Sequence, residues 1–254
     1  MRAIQQFREA DWGTGEAWDE RWDAFQQVNR ERRAVRDFDE SPIADEDVEA
    51  ILSEALLAPS SGNSQPYVIH WLREPAMKAA AAAACQNQRA ARSASTLLAF
   101  VCASRFALET TAMFRSYVES TAELSEKSRE YHLKELKTGR LFLRIAPSAI
   151  WSPLHFLLTA LFPSLTLAPL GPAAVRNWAV RSALFAAQTT LLGASARGLD
   201  TCPMEGFHAR KLARILGLKR GDVIALVVAL GRRRPDARIE PRWRRPFEAA
   251  VQVR

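Results

Sequence analysis

The chain has 254 residues, of which 48% are hydrophobic and 25% charged, and its formal net charge is +7. This composition is typical of a globular protein, and the length allows a good core in one large domain or two small ones. The basic balance favours anionic partners such as nucleic acid, anionic lipid or phosphate-bearing small molecules, and it does not choose among them. The three cysteines are widely spaced and form no CxxC pair, so neither a disulfide framework nor a zinc site is expected, and no metal is predicted. A protein without disulfides fits the reducing cytoplasm.

Residues 1–30 carry acidic side chains and hold no apolar run, so they are not a signal peptide, and residues 1–28 are expected to form a helical extension. Apolar residues at helical spacing predict helices over residues 16–29, 45–57, 75–92, 106–138, 175–197 and 208–216. Apolar runs of strand length predict strands over residues 67–72, 96–104 and 222–231. Many helices with few strands indicate an α+β or α/β fold around a small central sheet. The usual glycine-rich nucleotide loops, G-x-G-x-x-G and G-x-x-x-x-G-K-[ST], are both absent.

Two segments are rich in arginine. NRERRAVRDF, residues 29–38, holds four arginines just before a helix, and the tail GRRRPDARIEPRWRRP, residues 231–246, holds seven. Guanidinium groups bind phosphate in a bidentate fork and stay charged, so either segment can contribute to a phosphate clamp. The alternatives are a solvated basic turn and a solvated basic tail, and the tail also suits nucleic acid or lipid.

Two further segments have the composition of shaped loops. APSSGNSQPY, residues 58–67, places small polar side chains between two prolines, either as a generic turn or as a loop that hydrogen-bonds a polar ligand. GLDTCPMEGF, residues 198–207, has glycine near both ends and Pro203 between them. It is either a tight connection packed by Met204 and Phe207 or a loop whose amide groups, from Met204 to Gly206, face a flat ligand.

Together these segments resemble the nitroreductase family of FMN-dependent oxidoreductases. RRAVR resembles the family's RRSxR motif, APSSGNSQPY is similar to A-P-S-x-x-N-x-Q-P-[WY], and GLDTCPMEGF is similar to G-[LY]-D-T-x-P-M-x-G-F. The motifs occur in the family's order and spacing, and the resemblance covers residues 30–140 and 175–245. It implies that FMN carries the chemistry, with NADH or NADPH as the electron donor and no side chain as an indispensable catalytic group.

The resemblance also implies the cofactor contacts. The phosphate and the pyrimidine edge of FMN would be held by Arg32, Arg33 and Arg36, and one side-chain hydrogen bond is lost because the motif's serine is Ala34 here. The partner subunit would supply Ser60, Ser61, Asn63 and Gln65. The flavin ring would be lined by Pro203, Met204, Glu205 and Gly206. The tail would contact the phosphate through Arg242 and Arg244.

The implied fold is a single nitroreductase-like FMN-binding domain over residues 1–254, a three-layer α/β/α sandwich with a small mixed, mainly antiparallel central sheet. It forms an intertwined homodimer with two FMN sites at the interface. The implied reaction is a ping-pong transfer of hydride from NAD(P)H via FMN to a nitroaromatic, quinone or related small-molecule acceptor, with no nucleic acid partner. Two alternatives stay open: another flavin reaction, such as dehalogenation or enone reduction, and a non-catalytic basic protein that binds nucleic acid or a membrane surface.

Residues 145–175 carry no formal charge, apart from a charge on His155 if it is protonated, and five prolines interrupt them. About 20 apolar residues can span a bilayer, but each proline interrupts helical hydrogen bonds that lipid cannot replace. We therefore expect an apolar helical insertion over residues 141–174, with helices at 141–162 and 163–174 against the active-site mouth. A wall for flat aromatic acceptors would be formed by Trp151, His155, Phe156 and Phe162. A peripheral membrane contact through residues 145–175 is the alternative that suits a quinone acceptor.

Overall fold

The computed structural model describes residues 15–162 and 170–254, without the side chains of residues 15–17, 155 and 159. Its sheet has four strands in the order β1-β2-β4-β3, and every neighbouring pair is antiparallel. The strands are β1 (Tyr67–Leu72), β2 (Thr96–Cys102), β3 (Asp200–Met204) and β4 (Val223–Gly231). A single parallel bridge between Ala34 and Thr201 adds an extended segment to the β3 edge, so the predicted mixed, mainly antiparallel sheet is confirmed.

Helices cover both faces of this sheet. They are α1 (Gly15–Glu31), α2 (Asp45–Ala55), α3 (Pro75–Ala84), α4 (Arg89–Ser93), α5 (Ser104–Ser120), α6 (Glu126–Ile145), α7 (Ser152–Leu161), α8 (Pro172–Ala196), α9 (Ala209–Ile215) and α10 (Phe247–Ala250). Helices α3, α4 and α9 pack on one face, and α2 and α8 pack on the other. The three-layer α+β architecture predicted from the sequence is therefore confirmed.

Strand β2 lies at the centre of the core, because its side chains are buried on both faces of the sheet. Leu97, Ala99 and Val101 belong to the core cluster under α3 and α9. Leu98 and Phe100 alternate with them and belong to the cluster under α8. The two-residue period of a strand explains this division, and burial on both sides explains the continuous apolar run in the sequence.

Two predicted helices are each divided in the structure. The helix predicted over residues 75–92 ends with α3, and the chain turns at Gln86 and Asn87, which have positive φ angles of 58° and 51°, before α4 begins. The helix predicted over residues 106–138 is interrupted after α5, and Ser125 caps α6 by accepting a 3.2 Å hydrogen bond from the Ser128 amide. Serine is a strong helix N-cap, so this break had a signal in the sequence.

The segment GLDTCPMEGF contains a strand where the sequence suggested only a shaped loop. Residues Asp200–Met204 pair with β4, and β3 tolerates Pro203 because it is an edge strand. Gly198 ends α8 with a φ of 69°, as predicted. The amides of Gly198 and Leu199 donate to the carbonyl oxygens of Ser195 and Ala194, which is the double hydrogen bond of a Schellman cap.

The helix predicted over residues 141–162 is wrong as a continuous element. Helix α6 ends at Ile145, Pro147 lies in the break, and a 3₁₀ turn at Ala149–Trp151 leads into α7. The second predicted helix, 163–174, falls largely on residues outside the described part, and α8 begins at Pro172. No single helix within residues 15–162 and 170–254 is long and apolar enough to cross a membrane, although α6 and Ala149–Leu158, bent by 82°, would meet that criterion as a pair.

Candidate cofactor and acceptor site

The arginine-rich segment after α1 is anchored to the sheet by its apolar residues. The Val35 amide donates a 2.9 Å hydrogen bond to the Thr201 carbonyl of β3. Val35 and Phe38 are fully buried in the core. These contacts hold the segment in place, with Arg32 and Arg33 on one side of the anchor and Arg36 on the other. The predicted clamp is thereby placed directly beside the GLDTCPMEGF segment.

The C-terminal tail folds back onto the same place. The Arg242 guanidinium donates hydrogen bonds to the carbonyl oxygens of Asn29 (3.2 Å), Arg30 (2.6 Å) and Arg32 (2.7 Å) at the end of α1. A cation at a helix C-terminus satisfies carbonyl groups that have no partner inside the helix. Arg33 in turn donates to the carbonyl oxygen of Glu240. Arg242 thus uses three of its five N–H groups to fasten the tail, which makes it a positioning residue as well as a predicted phosphate contact.

Four arginines of this region form a cluster of positive charge. Partial burial lowers the pKa of Arg32, and the neighbouring charges of Arg242, Arg244 and Arg33 lower it further. Burial and the charges of Arg33 and Arg244 lower the pKa of Arg242 in the same way. Within the described ranges, no carboxylate oxygen lies within 4 Å of these four guanidinium groups. A cluster of like charges without a counter-charge fits a bound dianion such as a phosphate monoester.

The chain leaves β3 through an exposed turn, for which the sequence offered either a tight packed connection or a loop whose amides face a flat ligand. Met204 is buried, whereas Glu205 and Gly206 are exposed. The Gly206 carbonyl accepts a 2.6 Å hydrogen bond from Gln88 Nε2, and a Cβ at Gly206 would lie 3.2 Å from that nitrogen. The amides of Glu205 and Gly206 have no acceptor among the residues that the structure describes. They are therefore available to a ligand, and Gln88, which no sequence motif indicated, holds the turn in place.

Asp200 and Cys202 of the same motif stabilise the fold: Asp200 forms an ion pair, and Cys202 is buried. The Asp200 carboxylate accepts 2.9 Å and 2.6 Å hydrogen bonds from the Arg233 side chain and a third from the Arg233 amide. Burial raises the pKa of Cys202, and the charge of Arg36 opposes this rise. Burial also raises the pKa of Cys85 to about 11 and that of Cys102 to about 12. These thiols are therefore protonated near neutral pH and are poor nucleophiles.

The Ser60–Gln65 loop lies at the opposite edge of the sheet, next to β1. Three strand spacings separate β1 from β3, which is about 14 Å. Gly62, Asn63 and Gln65 have positive φ angles of 59°, 50° and 39°. Ser60 Oγ accepts a hydrogen bond from the Gln65 amide, and Gln65 Nε2 donates to Asn63 Oδ1. Ser60 and Gln65 thus shape the loop, while Ser61 and Asn63 are exposed to contact a ligand.

A cavity of about 680 Å³ opens beside this loop. It is lined by Ser61–Ser64, by one face of α6, by Thr111 and Phe114 of α5, and by Trp178 of α8. The Ser64 hydroxyl oxygen is buried without a hydrogen-bond partner in the described part of the chain, although burying a polar group in this way is unfavourable. An unsatisfied hydroxyl in the lining of a cavity fits a polar ligand group.

The predicted aromatic wall lies elsewhere in the described structure. Trp151, Phe156 and Phe162 do not line the 680 Å³ cavity, and the His155 side chain is outside the described part. The Trp151 ring nitrogen donates a 3.1 Å hydrogen bond to the Ile145 carbonyl. The wall stays a prediction, whereas the cavity is lined by the Ser61–Ser64 part of a predicted motif and by residues of 111–143 and Trp178, which the motifs did not indicate.

The structure brings the candidate residues together in two groups. Arg32, Arg33, Arg242 and Arg244 cluster beside the start of β3, where Ala34 bridges Thr201, and the exposed turn follows the other end of the same strand. Within residues 15–162 and 170–254, no ion pair or hydrogen bond joins the Ser60–Gln65 loop to that cluster. For a metal site, no group of three or more histidine, cysteine or acidic residues within these same ranges is arranged to hold an ion.

Several known proteins are similar to this chain in sequence. The putative NAD(P)H nitroreductase MhqN of Bacillus subtilis is 31% identical over 77 residues, which are 30% of this chain and 37% of that protein. Protein DrgA of Synechocystis is 41% identical over 66 residues, so the chain aligns with about a third of each of these relatives. An NADH dehydrogenase of Thermus thermophilus is 26% identical over 220 residues, covering 87% of this chain and 91% of that protein.

Solved structures share the fold. A putative nitroreductase from Bacillus subtilis superposes with a TM-score of 0.73 at 22% identity, covering 92% of this chain and all of that one. A putative nitroreductase from Exiguobacterium sibiricum, solved in complex with FMN, has a TM-score of 0.70 at 20% identity, covering 91% and 97%. A model described as the nitroreductase family matches residues 30–232. With its motifs, its sheet and this match over most of its length, the chain belongs to the nitroreductase family.

Proposed function

We propose that this chain is an FMN-dependent oxidoreductase that uses NADH or NADPH to reduce a nitroaromatic, quinone or related small molecule. The observation that carries the proposal is the uncompensated arginine cluster beside the start of β3, the strand that leads into the exposed amides of Glu205 and Gly206. The FMN complex of the Exiguobacterium sibiricum relative and the NAD(P)H-dependent name of the Bacillus subtilis relative support it. When bound, FMN supplies the chemistry by accepting hydride from NAD(P)H and passing reducing equivalents to the acceptor.

The residues of the chain have distinct roles in this proposal. Arg32, Arg33 and Arg244 bind the phosphate, while Arg36 contacts the pyrimidine edge of the ring. Arg242 adds its charge to the phosphate site and keeps Arg32 in position through the carbonyl hydrogen bond. Pro203 and Met204 shape the surface under the ring, and the amides of Glu205 and Gly206 donate to its edge. Fixed backbone donors stabilise developing charge without reorganising, so no acidic side chain is required there.

We also propose that two copies of the chain form the complete site. The separation of about 14 Å between the two loop-bearing sheet edges supports a site in which Ser61 and Asn63 of one chain and the Glu205–Gly206 turn of the other contact one ring. Helices α1 and α8, which contact each other, expose Trp22, Phe25 and Phe185. This apolar surface suits a twofold interface, the commonest arrangement of homo-oligomers. Light scattering at micromolar concentration with flavin bound should give the mass of a dimer, and a monomer mass contradicts this assembly.

The reaction itself is tested with purified protein and a panel of acceptors. With NADH or NADPH as donor, plots of reciprocal rate against reciprocal donor concentration should be parallel at different acceptor concentrations, because donor and acceptor use one site in turn. Nitroaromatics and quinones should be reduced faster than enones or halogenated aromatics. Preferred reduction of an enone would favour the alternative flavin reaction, for which the fold of an enone reductase (TM-score 0.65, 19% identity) is the precedent. No oxidation of either nicotinamide with any acceptor contradicts the proposed function.

For residues 145–175 we propose a peripheral membrane contact, since the cavity lining does not include them. Ile150 is 77% exposed and Leu161 is 62% exposed, and exposed apolar side chains of this kind favour a membrane surface. The protein should co-sediment with anionic lipid vesicles, and an Ile150→Ser, Leu161→Ser variant should do so less. Val253→Ser, which removes another exposed apolar side chain, is the control. Equal sedimentation of all three proteins contradicts the contact.

The buried cysteine thiols are all free, which supports the proposed cytoplasmic location.

A further inference from the structure

The 680 Å³ cavity beside the Ser60–Gln65 loop has a lining with a definite chemical character. Helix α6 presents Tyr131, His132, Glu135, Gly139 and Phe142 to it, at the spacing of three and four residues that defines one helical face. The Phe114 ring of α5 meets the His132 ring edge-on, with 5.5 Å between ring centroids. Trp178 of α8 completes an aromatic lining. Such a lining with few polar groups suits a flat aromatic ligand.

Glu135 is the one side chain of this lining that carries a full charge at neutral pH. Within the described part of the chain, no basic group lies within 4 Å of its carboxylate. No ion pair among the described residues therefore holds its carboxylate, and its basic neighbours on α6, Lys134 and Lys137, do not line the cavity. Aromatic rings attract cations through their faces, so both Glu135 and the rings favour a positively charged ligand.

We propose that this cavity is the acceptor site, and that Glu135 makes it select neutral and cationic flat aromatic acceptors over anionic ones. The proposal rests on the function proposed above, because Ser61 and Asn63, the exposed residues of the predicted flavin-contacting loop, also line the cavity. A ligand there lies next to the position expected for the flavin of the same site. The Ser64 hydroxyl, which is buried and unpartnered in the described part of the chain, belongs to the same lining.

Gly139 provides the space that a flat ring needs. It lies inside α6, where glycine lowers helix stability, and its φ angle does not require glycine. A Cβ built at this position meets no heavy atom within 4 Å, so the residue faces open space in the cavity. A larger side chain at position 139 can therefore fill the cavity without displacing the helix.

The test uses three para-substituted nitrobenzenes that differ mainly in charge: a nitrobenzoate, a nitrobenzyl alcohol and a nitrobenzyltrimethylammonium. Their KM and kcat are measured with the flavin-loaded enzyme, and their binding to the oxidised protein is measured by calorimetry. For Glu135→Gln we expect KM of the cation to rise and KM of the anion to fall, each about threefold to fivefold, as for an exposed charge. The kcat values should change little. Glu130→Gln, an exposed carboxylate on the same helix outside the lining, should change neither KM.

The Gly139→Leu variant tests the location independently of charge. It should weaken binding of all three ligands about tenfold, a loss of about 1.4 kcal/mol, while the bound flavin stays at the parent level. Unchanged binding in Gly139→Leu overturns the cavity assignment. An unchanged ratio of cation to anion affinity in Glu135→Gln overturns the role of Glu135. Calorimetric binding of the cation to a protein that retains no flavin would contradict the proposed function while supporting the cavity as a binding site.

Discussion

The Arg242 guanidinium donates a 2.7 Å hydrogen bond to the carbonyl oxygen of Arg32, across 210 positions of sequence. The same Arg242 Nη2 also donates to Arg30 at the end of α1. Because Arg32 is the centre of the uncompensated charge cluster, the C-terminal tail both adds charge to that cluster and fixes its geometry. Two arginines of one predicted phosphate site therefore have separable roles, which mutation can distinguish.

Replacing Arg32 with alanine should weaken FMN retention by about 2–3 kcal/mol, the range for hydrogen bonds to charged groups. Arg32 has no described hydrogen-bond or ion-pair partner for its side chain, so its guanidinium is available to the phosphate. The dissociation constant for FMN is measured by fluorescence titration at low and high salt. High salt should weaken FMN binding to the parent protein more than FMN binding to Arg32→Ala, because the parent has more positive charge to be screened. Arg115→Ala removes an arginine of a surface ion pair on α5 and serves as the control. An Arg32→Ala protein that purifies with as much flavin as the parent contradicts the assignment.

Replacing Arg242 with alanine should affect folding as well as flavin binding. The free energy of unfolding should fall by about 1 kcal/mol, because three carbonyl groups lose an exposed charged donor. Arg242→Lys should recover little of this loss, since a single ammonium cannot reproduce the planar fork. Arg245→Ala is the control for Arg242→Ala, because Arg245 also lies in the tail but donates only to the local Ala249 carbonyl. Urea denaturation of the flavin-free proteins measures the difference, and equal stability of the two alanine variants contradicts the positioning role.

Acid should destabilise the protein through Asp222, which joins the α9–β4 turn to α5. Burial raises the pKa of Asp222, but hydrogen bonds from Arg105 and from the Lys219 amide outweigh it, so the net shift is downward. A carboxyl with a depressed folded-state pKa contributes stability above its unfolded pKa of about 3.9 and loses it as pH falls through the folded value. Asp222→Asn should therefore cost about 2 kcal/mol at neutral pH and progressively less below about pH 4.

The measurement for Asp222 is denaturant unfolding across that pH range, with Asp236→Asn as the control. Asp236 also pairs with an arginine, but it is fully solvated, and exposed ion pairs contribute little. A difference between parent and Asp222→Asn that stays constant with pH would show that the carboxylate charge is not the stabilising feature.

Glu205→Gln should retain most of the turnover, because the exposed turn acts through its amides. The Glu205 side chain is exposed and has no described hydrogen-bond partner, whereas its carbonyl accepts from the Phe207 amide. Gln88→Ala, which removes the hydrogen bond to the Gly206 carbonyl, should reduce kcat more than Glu205→Gln does. Steady-state kinetics of flavin-saturated variants compare the two. A thousandfold loss of kcat in Glu205→Gln, with flavin bound, would make Glu205 a catalytic acid.

Local patterns predicted much of the fold. Strands β1, β2 and β4 are apolar runs of strand length, and the end of α8 before Gly198 follows from local capping chemistry. Strand β3 was missed because Pro203 and the flanking glycines indicate a loop, while its pairing with β4 is long-range. The break before Ser125, inside the helix predicted over residues 106–138, was missed although serine is a favoured N-cap residue.

The residues of the candidate site also divide into those that local motifs indicate and those that depend on tertiary packing. The arginines and the exposed turn were identified from motifs, since their chemistry lies within short stretches of sequence. The contact of Gln88 with Gly206 joins residues 118 positions apart, and no motif indicates it. The cavity depends on the packing of α5, α6 and α8, so its lining follows from tertiary structure. The aromatic residues and Gly139 on one face of α6 were the available signal, but their role becomes apparent only when the helices are packed.

The central claim is that the arginine cluster and the turn after β3 hold FMN. The most direct measurement is the visible absorption spectrum of the purified protein, with the flavin released by denaturation and identified chromatographically. We expect about one FMN for each chain, retained through gel filtration at low salt, and loss of the flavin absorption when NADH or NADPH is added without oxygen. A colourless protein that binds no FMN at micromolar concentration would contradict it.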